Sequence, residues 1–459
     1  MWNRDEQTIC ALSTPNGVGG IAVLRVSGSS ALAICKKISK SLRKKEIIES
    51  HKSYFSDILD LDENKLDEAL ITYFAHGKSF TGEEVVEISC HGSPFVVHQI
   101  LDLLVKCGCR LAEKGEFTYR AFMNGNIDLV QAESTLSLIE SQNAAAAKMA
   151  LRQLSGHVSK QIEELISDLT WSLAHIEASI DFAEQGVEVV DSKVLILKLK
   201  SVAGALEKLV SSYESGRLIK DGITVALIGE PNVGKSSLLN LLLQEERAIV
   251  TPIAGTTRDI VADTIVHKGV KFKICDTAGL RETIDQVEII GIDKSKKEAE
   301  KADVLCFVFD CSDQNWNRAL SLAKQLNNSK KIFLLNKSDM ISQEAREELL
   351  KRFDDKTNAI FTSAITQSSR DQIYSFILSS VGSLEFLNEA VISSARQNEG
   401  IVYSYEMISK SIIDLEGNLG AEFVAMYLKE SLVALQKTIG VIYDDQIMDR
   451  VFKEFCLGK

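Results

Sequence analysis

Proline occurs at only four positions in this chain of 459 residues, and its distribution limits the possible architecture more than any other sequence feature. The four are Pro15, Pro94, Pro231 and Pro252. Residues 95–230 and 253–459 contain no proline. Because proline inside a helix removes a hydrogen bond and clashes with the preceding turn, stretches without it permit long helices.

The middle and the end of the chain carry the hydrophobic period of α-helices. Apolar residues step by three and four between Val158 and Ile180, which predicts a long helix with one apolar face. A second helix is predicted over about residues 194–213. Since the end of the chain has the same character, we expect one helical domain formed by residues 122–218 and 382–459, with an insertion between them.

Short apolar runs alternate with turns in the first 120 residues. Residues 21–26, 70–74 and 85–88 are typical of strands, and residues 96–105 of a helix. This pattern predicts a mixed α+β domain over residues 1–121.

The insertion, residues 219–381, alternates strands with helical stretches. Its near-continuous apolar runs are residues 223–228, 272–275, 304–309 and 332–335. Runs of this kind mark the buried strands of a parallel sheet, so we expect an α/β domain.

A glycine-rich segment follows the first of these runs directly. Residues 229–237 read Gly-Glu-Pro-Asn-Val-Gly-Lys-Ser-Ser, which is the phosphate-binding loop G-x-x-x-x-G-K-S between a strand and a helix. Glycines let the backbone N–H groups face phosphates, Lys235 can neutralise their charge and the Ser236 hydroxyl can bind Mg²⁺. The predicted nucleotide contacts here are Asn232, Val233, Gly234, Lys235, Ser236 and Ser237.

Two further segments suit the γ-phosphate and Mg²⁺. Asp276 directly follows the second apolar run and begins the motif Asp-Thr-Ala-Gly, in which the carboxylate can hold the Mg²⁺ shell through water. Between the two motifs lies a Gly/Pro loop typical of a mobile switch, in which Thr257 is predicted to contact Mg²⁺. The predicted contacts are Thr251, Pro252, Ile253, Ala254, Gly255, Thr256, Thr257, Asp276, Thr277, Ala278 and Gly279.

A fourth motif, Asn336-Lys-Ser-Asp339, selects the base. The Asp339 carboxylate can accept from both N1–H and N2–H₂ of guanine, whereas adenine offers no matching donor pair and leaves the charge unpaired. The motif therefore predicts GTP rather than ATP, and we expect this acid to be buried. The contacts predicted on the base side are Asn336, Lys337, Asp339, Ser363 and Ala364.

Two catalytic groups of Ras-like enzymes are absent from their usual places. Leu280 stands where a glutamine would orient water, so Glu288 is the candidate replacement. The negative charge of the transition state would be stabilised by a monovalent cation or by an arginine finger. The cation would lie in an oxygen cage of Asn232, Thr251, Ile253 and Thr256, and the finger would be Arg258 or Arg281.

In this order the motifs resemble those of the MnmE (TrmE) family of tRNA-modification GTPases. The similarity extends to residues 11–28, 79–87, 91–92 and 115–122, and to the ending Phe-Cys-Leu-Gly-Lys at residues 455–459. It implies α/β plus all-α architecture: an N-terminal folate-binding-like domain, a helical domain, and an inserted Ras-like P-loop GTPase domain.

The resemblance also implies site residues. Arg25, Glu87 and Lys459 match positions that contact a formyl- or methylene-tetrahydrofolate, while Asn126 stands where the family commonly has lysine. Glu288 becomes the favoured water-orienting residue, and K⁺ the favoured ion in the Asn232 cage. Cys456 is either a nucleophile or a buried structural thiol.

The implied function is a K⁺-activated, Mg²⁺-dependent GTPase that works as a homodimer. With an FAD-dependent partner of the MnmG type, it would add an aminomethyl or carboxymethylaminomethyl group to C5 of the wobble uridine of certain tRNAs. Two alternatives remain: a ribosome-assembly GTPase switch, and a folate-dependent one-carbon transferase regulated by GTP.

The composition excludes some classes of binding partner. With 52 basic and 64 acidic residues the net charge is −12, which excludes a broadly cationic nucleic-acid coat. Residues 36–45 are a local exception, readable as a contact for tRNA phosphates or as a solvated helix face. Nine cysteines without paired spacing indicate free thiols in the cytoplasm, and the apolar runs are too short for a bilayer span, so no membrane partner is expected.

Overall fold

A computed structural model of the protein describes most of the chain. The described residues are 7–181, 191–243, 263–276, 302–313, 316, 320–321, 323, 330–351, 358–381, 390–417, 420–455 and 458. The chain divides into two compact units. The first comprises Met1–Leu136, Gln153–Ala203 and Gly400–Lys459, and the second comprises Ser137–Arg152 and Gly204–Glu399.

A six-stranded sheet forms the N-terminal part of the first unit, in the order β3-β4-β5-β2-β1-β6. Its strands are β1 (Ile9–Leu12), β2 (Ile21–Ser27), β3 (Lys52–Leu59), β4 (Lys65–Phe74), β5 (Val85–His91) and β6 (Arg110–Leu111). All neighbours are antiparallel except β1 and β6. The three predicted strands correspond to β2, β4 and β5, whereas β1, β3 and β6 were not predicted. Alternate residues of β2 and β5 are buried, as expected of strands with one face in a core.

Four helices accompany this sheet: α1 (Ala31–Ile38), α2 (Lys40–Arg43), α3 (Pro94–Lys106) and α4 (Glu116–Met123). Pro94 occupies the first turn of α3, where its missing N–H costs nothing. Apolar residues of α1 and α3 share one core with those of the sheet. The predicted α+β arrangement is therefore confirmed.

The helical regions contain no strand among their described residues. The helices are α5 (Leu129–Ile139), α6 (Ala144–Leu154), α7 (His157–Asp181), α8 (Ser192–Asp221), α12 (Ala395–Glu416), α13 (Ala421–Ile439) and α14 (Asp445–Phe452). Five residues of the predicted stripe of α7 are buried, namely Val158, Ile162, Leu165, Leu169 and Ile176, and α7 packs against α13. No helix among the described residues is long and apolar enough to cross a membrane.

A second six-stranded sheet, in the order β12-β11-β10-β7-β9-β8, lies in the second unit. Its strands are β7 (Ile223–Ile228), β8 (Asp263–His267), β9 (Val270–Asp276), β10 (Val304–Asp310), β11 (Lys330–Asn336) and β12 (Ala359–Phe361). Only β8 runs antiparallel to its neighbour. The helices are α9 (Lys235–Leu242), α10 (Gln343–Leu350) and α11 (Ser368–Val381), and all seven residues of β10 are buried, as the apolar run predicted.

Helix α8 continues eight residues beyond the predicted end near residue 213 and stops at Asp221. The extension is anchored because Leu218 is buried in the core around β7, while Ile219 is buried with Ala146 and Val391. Gly222, at φ +89°, then ends the helix and leads into β7. The predicted boundary at residues 218/219 falls inside this helix, and the domain limits stay a prediction.

Candidate functional site

The phosphate loop lies at the carboxyl end of β7, between that strand and the N-terminus of α9. Gly234 precedes the helix in the left-handed conformation, at φ +95°. A Cβ there would overlap the Asn336 amide, and one on Gly229 would lie 2.6 Å from the Val308 carbonyl oxygen. Glycine is therefore required at both positions because β10 and β11 approach the loop so closely. From the sequence, these glycines were assigned to phosphate contact alone.

The Lys235 ammonium is held across this loop. Its Nζ donates to the carbonyl oxygens of Gly229 (2.8 Å) and Glu230 (2.6 Å). Ser236 and Ser237 are exposed in the first turn of α9, where backbone N–H groups carry partial positive charge. Asp276 ends β9 in register with Leu227 of the neighbouring β7, so two of the predicted motifs meet at one edge of the sheet.

The guanine motif is bound to the phosphate loop by two hydrogen bonds. Asn336 Nδ2 donates to the Val233 carbonyl (2.9 Å), and Lys337 Nζ donates to the Asn232 carbonyl (3.0 Å). Within the described chain, the side-chain oxygen of Asn336 and the hydroxyl of Thr362 are buried without a hydrogen-bond partner. Because unpaired buried oxygens are costly, each of them lowers the stability of this end of the sheet.

The base-selecting acid was expected to be buried, and that expectation is wrong. Asp339 is exposed, because it lies in a single 3-10 turn, Ser338–Met340, at the surface beyond β11. Its geometry is nevertheless fixed, since Ser363 Oγ donates to Asp339 Oδ1 at 2.6 Å. Ala364 packs against the apolar core around β7. The structure thus brings both base-side segments together.

Asp310 is a charged neighbour of this site that sequence reasoning missed. It ends β10, is buried, and forms an ion pair with Lys337 Nζ. Burial alone would raise its pKa, but the Lys337 ammonium and the Ser312 hydroxyl and amide outweigh this and hold the pKa of Asp310 below its usual value. A signal existed, because an acid directly after a buried parallel strand is also what identified Asp276.

Beside this ion pair lies a cavity of about 240 Å³, lined in part by Pro231, Asn232, Asp310 and Trp316. Asn232 itself adopts a left-handed conformation, at φ +64°, which is uncommon for a residue with a side chain. Its carbonyl oxygen is held by Lys337, so the backbone at this predicted cation ligand is fixed from the guanine side.

Several predicted site residues lie outside the described residues. In the second unit they are Thr251, Pro252, Ile253, Ala254, Gly255, Thr256, Thr257, Thr277, Ala278, Gly279 and Glu288, with the alternatives Arg258 and Arg281. In the first unit they are Cys456 and Lys459. Their roles stay predictions.

In the first unit, Arg25 of β2 and Glu87 of β5 are direct cross-strand partners. Arg25 donates through Nε (3.0 Å) and Nη2 (2.7 Å), both to Glu87 Oε1, and its guanidinium lies 5.7 Å from the centre of the Phe117 ring. Both side chains are partly accessible, with 21% and 28% exposed. The pair is therefore preformed, and no described residue bonds to Glu87 Oε2.

Asn126 has a different environment. Its amide donates to the carbonyl oxygens of Ser79 (3.2 Å) and Phe80 (3.1 Å), fixing the loop before β5. From this loop, Thr81 and Glu83 hydrogen-bond to Ser27, two residues after Arg25. Asn126 thus supports the segment beside the Arg25–Glu87 pair through a loop, and its described hydrogen bonds do not reach the pair itself.

The C-terminal segment reaches the same sheet. Ser13 Oγ donates to the Gly458 carbonyl (3.1 Å), and a Cβ on Gly458 would overlap the Leu12 carbonyl. Leu12 is paired with Leu24, the residue before Arg25. Gly458 therefore lies against β1, the strand next to the one that carries Arg25.

A buried ion network lies next to this region. Glu116 accepts from Arg110 Nη2 (2.5 Å), Arg120 Nη2 (3.1 Å) and the Glu113 amide (2.8 Å). Burial opposes ionisation of Glu116, but these donors outweigh it and lower the pKa. Arg120 also pairs with Glu83 (3.1 Å), so the network joins α4 to the loop that carries Thr81.

Comparisons with known proteins match nearly the whole chain to one family. Residues 8–126 match the family model described as GTP-binding protein TrmE N-terminus, and residues 129–456 match the model of the MnmE helical domain. A Bdellovibrio bacteriovorus protein named tRNA modification GTPase MnmE is 48% identical, covering 100% of this chain and 98% of that protein. A protein of the same name from Clostridioides difficile is 38% identical, covering 99% of each.

Solved structures are similar over shorter stretches. Aquifex aeolicus Era is 26% identical, covers 40% of this chain and 66% of its own, and has a TM-score of 0.28. The G domain of the T. maritima FeoB iron transporter is 27% identical, covers 34% of this chain and 98% of its own, and has a TM-score of 0.26.

Proposed function

Because this chain belongs to the MnmE family of tRNA modification GTPases, we propose that it binds and hydrolyses GTP at the carboxyl ends of β7, β9, β10 and β11. The observation that carries this is the bonding of the guanine motif to the phosphate loop, through Asn336 to Val233 and Lys337 to Asn232. These bonds support base and phosphate recognition at the carboxyl ends of parallel strands, where such sheets bind nucleotides.

In the proposed mechanism, the chain contributes positioning and electrostatics. Lys235 and the N–H groups at the start of α9 neutralise the phosphates, and Asp339 selects guanine. Mg²⁺, held by Ser236 and Thr257, would offset charge on the β- and γ-phosphates. The Ser236 hydroxyl is exposed in the first turn of α9, and an oxygen ligand of this kind suits a hard cation.

The water-orienting and charge-stabilising groups remain proposals that rest on the family. Glu288 would orient the attacking water in place of a glutamine. K⁺ would lie among Asn232, Thr251, Ile253 and Thr256, and the fixed left-handed backbone of Asn232 supports a preformed first ligand. Arg258 and Arg281 are the alternatives.

In the first unit we propose a tetrahydrofolate site. Arg25 and Lys459 would pair with the folate carboxylates, and Glu87, with Oε2 left open by its pairing to Arg25, would accept from the pterin N–H edge. Asn126 would act through the loop it holds. On the same sheet Phe55 and Leu70 are cross-strand partners that are 63% and 50% exposed, which supports the proposed homodimer.

The proposed biological role is modification of C5 of the wobble uridine of tRNA in the cytoplasm, together with an FAD-dependent protein of the MnmG type. The aminomethyl or carboxymethylaminomethyl product is the finer part of this proposal. A folate-dependent transferase regulated by GTP would need Cys456 or a similar nucleophile. Cys456→Ser separates this alternative from a ribosome-assembly GTPase switch, since loss of tRNA modification with intact GTP turnover would assign the chemistry to this thiol.

Calorimetry and turnover test the proposed function directly. The purified protein should bind GTP and its diphosphate far more tightly than ATP, and GTP turnover should be faster in KCl than in NaCl at equal ionic strength. Equal affinity for the two nucleotides would overturn the GTPase assignment. Equal rates in the two salts would overturn only the cation cage and favour Arg258 or Arg281.

A further inference from the structure

We propose that a basic surface on the first unit binds the phosphate backbone of RNA, and that tRNA is its physiological ligand. The surface is formed by the last turn of α1, by α2 with the residues after it, and by the last turn of α3. Its basic residues are Lys36, Lys37, Lys40, Arg43, Lys44, Lys45 and Lys106. The identity of the RNA rests on the proposed function, whereas the electrostatics rest on the residues themselves.

The concentration of charge is the first argument. Six Lys and Arg residues lie between positions 36 and 45, without one acidic residue among them, in a chain whose net charge is −12. Lys37, Lys40, Arg43, Lys44, Lys45 and Lys106 are exposed. A solvated helix face in this acidic chain would be expected to mix the two signs, so a run of one sign indicates an anionic partner.

The structure joins the three segments into one surface. Lys37 Nζ lies 3.5 Å from the Cys107 carbonyl at the end of α3, directly after Lys106. Arg43 Nε donates to the Lys37 carbonyl (2.9 Å), and Lys36 Nζ lies 3.4 Å from the Lys45 carbonyl. These contacts fold the charges of α1, α2 and α3 against each other instead of dispersing them along the chain.

Much of this charge is not neutralised. Lys40 pairs with Asp57 at 3.1 Å, and Arg43 pairs with Glu63. Among the described residues, no acidic side chain forms a salt bridge with Lys37, Lys44 or Lys106, and Lys45 instead lies over the Tyr54 ring at 5.4 Å. Because ammonium groups act as point charges, they suit phosphate oxygens better than base edges. We therefore expect affinity without sequence readout.

The experiment uses the full chain and an unmodified tRNA transcript with uridine at the wobble position. The test variant is Lys37→Gln/Lys44→Gln/Lys106→Gln, in which glutamine keeps a polar side chain of similar reach. The matched control is Lys52→Gln/Lys65→Gln/Lys429→Gln, which removes the same charge from lysines already paired with Glu49, Asp57 or Glu68, and Glu177. Affinity is measured by filter binding from about 50 to 200 mM salt, the range over which phosphate contacts are salt-dependent.

The test variant should lose about tenfold in affinity at low salt, and the slope of log affinity against log salt should fall by about 2 to 3, close to 0.7–0.9 for each phosphate contact. The control should keep wild-type affinity and slope. Both variants should retain the wild-type thermal midpoint and GTP turnover, because all six lysines belong to the first unit and the proposed nucleotide site to the second.

Three outcomes would overturn the inference. If wild-type protein binds tRNA and the test variant binds it equally well, this surface is not used, while the proposed function stands. Equal losses in both variants would indicate a general effect of net charge. If the variant loses binding only to phosphatidylserine vesicles, run in parallel, the surface is a membrane contact. Absence of tRNA binding by wild-type protein, alone and with its partner, would instead overturn the proposed function.

Discussion

The two candidate sites of this protein are built in opposite ways. In the second unit, the nucleotide site is made largely of backbone: glycines at 229 and 234, carbonyl oxygens that accept from Lys235 and Lys337, and the first turn of α9. In the first unit, the Arg25–Glu87 pair and the Glu116 network are made of charged side chains, and Arg25 and Glu87 lie 62 positions apart in the chain. A backbone site tolerates few substitutions near its glycines, whereas a side-chain site depends on individual charges.

The largest effect expected in the nucleotide site comes from its one base-selecting side chain. Asp339→Asn should lower GTP affinity by about 10²- to 10⁴-fold, since two hydrogen bonds to a charged acceptor are lost. Xanthosine triphosphate should bind better to the variant than to wild type, because its C2 carbonyl can accept from the new amide. Competition titrations with GTP, XTP and ATP measure this. A variant that keeps its preference for GTP would show that base selection lies elsewhere.

The backbone half of the comparison is tested by Gly234→Ala. The left-handed conformation and the overlap with the Asn336 amide should together lower GTP affinity about 10²-fold, with a stable fold. Gly204→Ala is the matched control, because a Cβ there has open space within a helix and should change nothing in nucleotide binding. Fluorescent-GDP titration follows both. Wild-type affinity in the first variant would contradict a site built on backbone geometry.

A smaller effect is expected from Asp310→Asn. Releasing the Lys337 ammonium should speed GDP dissociation about tenfold, as for loss of a hydrogen bond between charged groups. The same change should add little in a Lys337→Met background, since the partner is already absent. Stopped-flow release of fluorescent GDP measures both. Additive effects would show that Asp310 acts independently of Lys337.

Asp303→Asn provides the control for that experiment. Asp303 lies just before the other end of β10, where it pairs with Arg217 (2.5 Å) and accepts from the Thr224 amide (2.8 Å). Its loss should lower stability without accelerating release of the nucleotide. Equal acceleration by both variants would reduce the Asp310 effect to general destabilisation of the strand.

Glu116→Gln, in the first unit, should leave nucleotide binding unchanged and should instead lower the stability of the protein. The pKa of Glu116 is lower in the folded state than in the unfolded state. Its ionised carboxylate therefore adds to the free energy of unfolding above the unfolded-state pKa of about 4.3, and this contribution is lost as pH falls through the folded-state pKa. The variant should be less stable than wild type by about 3 kcal/mol at pH 7. Urea unfolding from pH 7 to pH 3 should show this difference shrinking towards acid, and a constant difference would exclude the ionised carboxylate as its cause.

Sequence reasoning succeeded where the signal is local. The apolar runs of β7, β10 and β11 lie where buried parallel strands were predicted, and the phosphate loop follows β7 directly. It failed where the cause is tertiary. Asp310 takes its role from Lys337, 27 residues away, and Asp339 is exposed because of the turn that carries it. Periodicity also ended α8 too early, since its last turns are held by residues of the cores around Leu218 and Ile219.

The first unit shows the same limit more strongly. Arg25, Glu87 and Asn126 were identified from family resemblance, and no spacing rule would have joined them. The structure pairs the first two across β2 and β5 but assigns the Asn126 amide to the loop at Ser79 and Phe80. Which side chain faces a ligand depends on strand register and loop path, and neither is encoded in a short motif.

The bond from Asn336 to Val233 joins residues 103 positions apart and has a consequence for biosynthesis. A nascent polypeptide that has emerged only as far as β10 has its glycine loop but lacks the amide that secures it. Guanosine nucleotides would therefore bind and stabilise the nascent chain only after β11 has left the ribosome and joined the sheet.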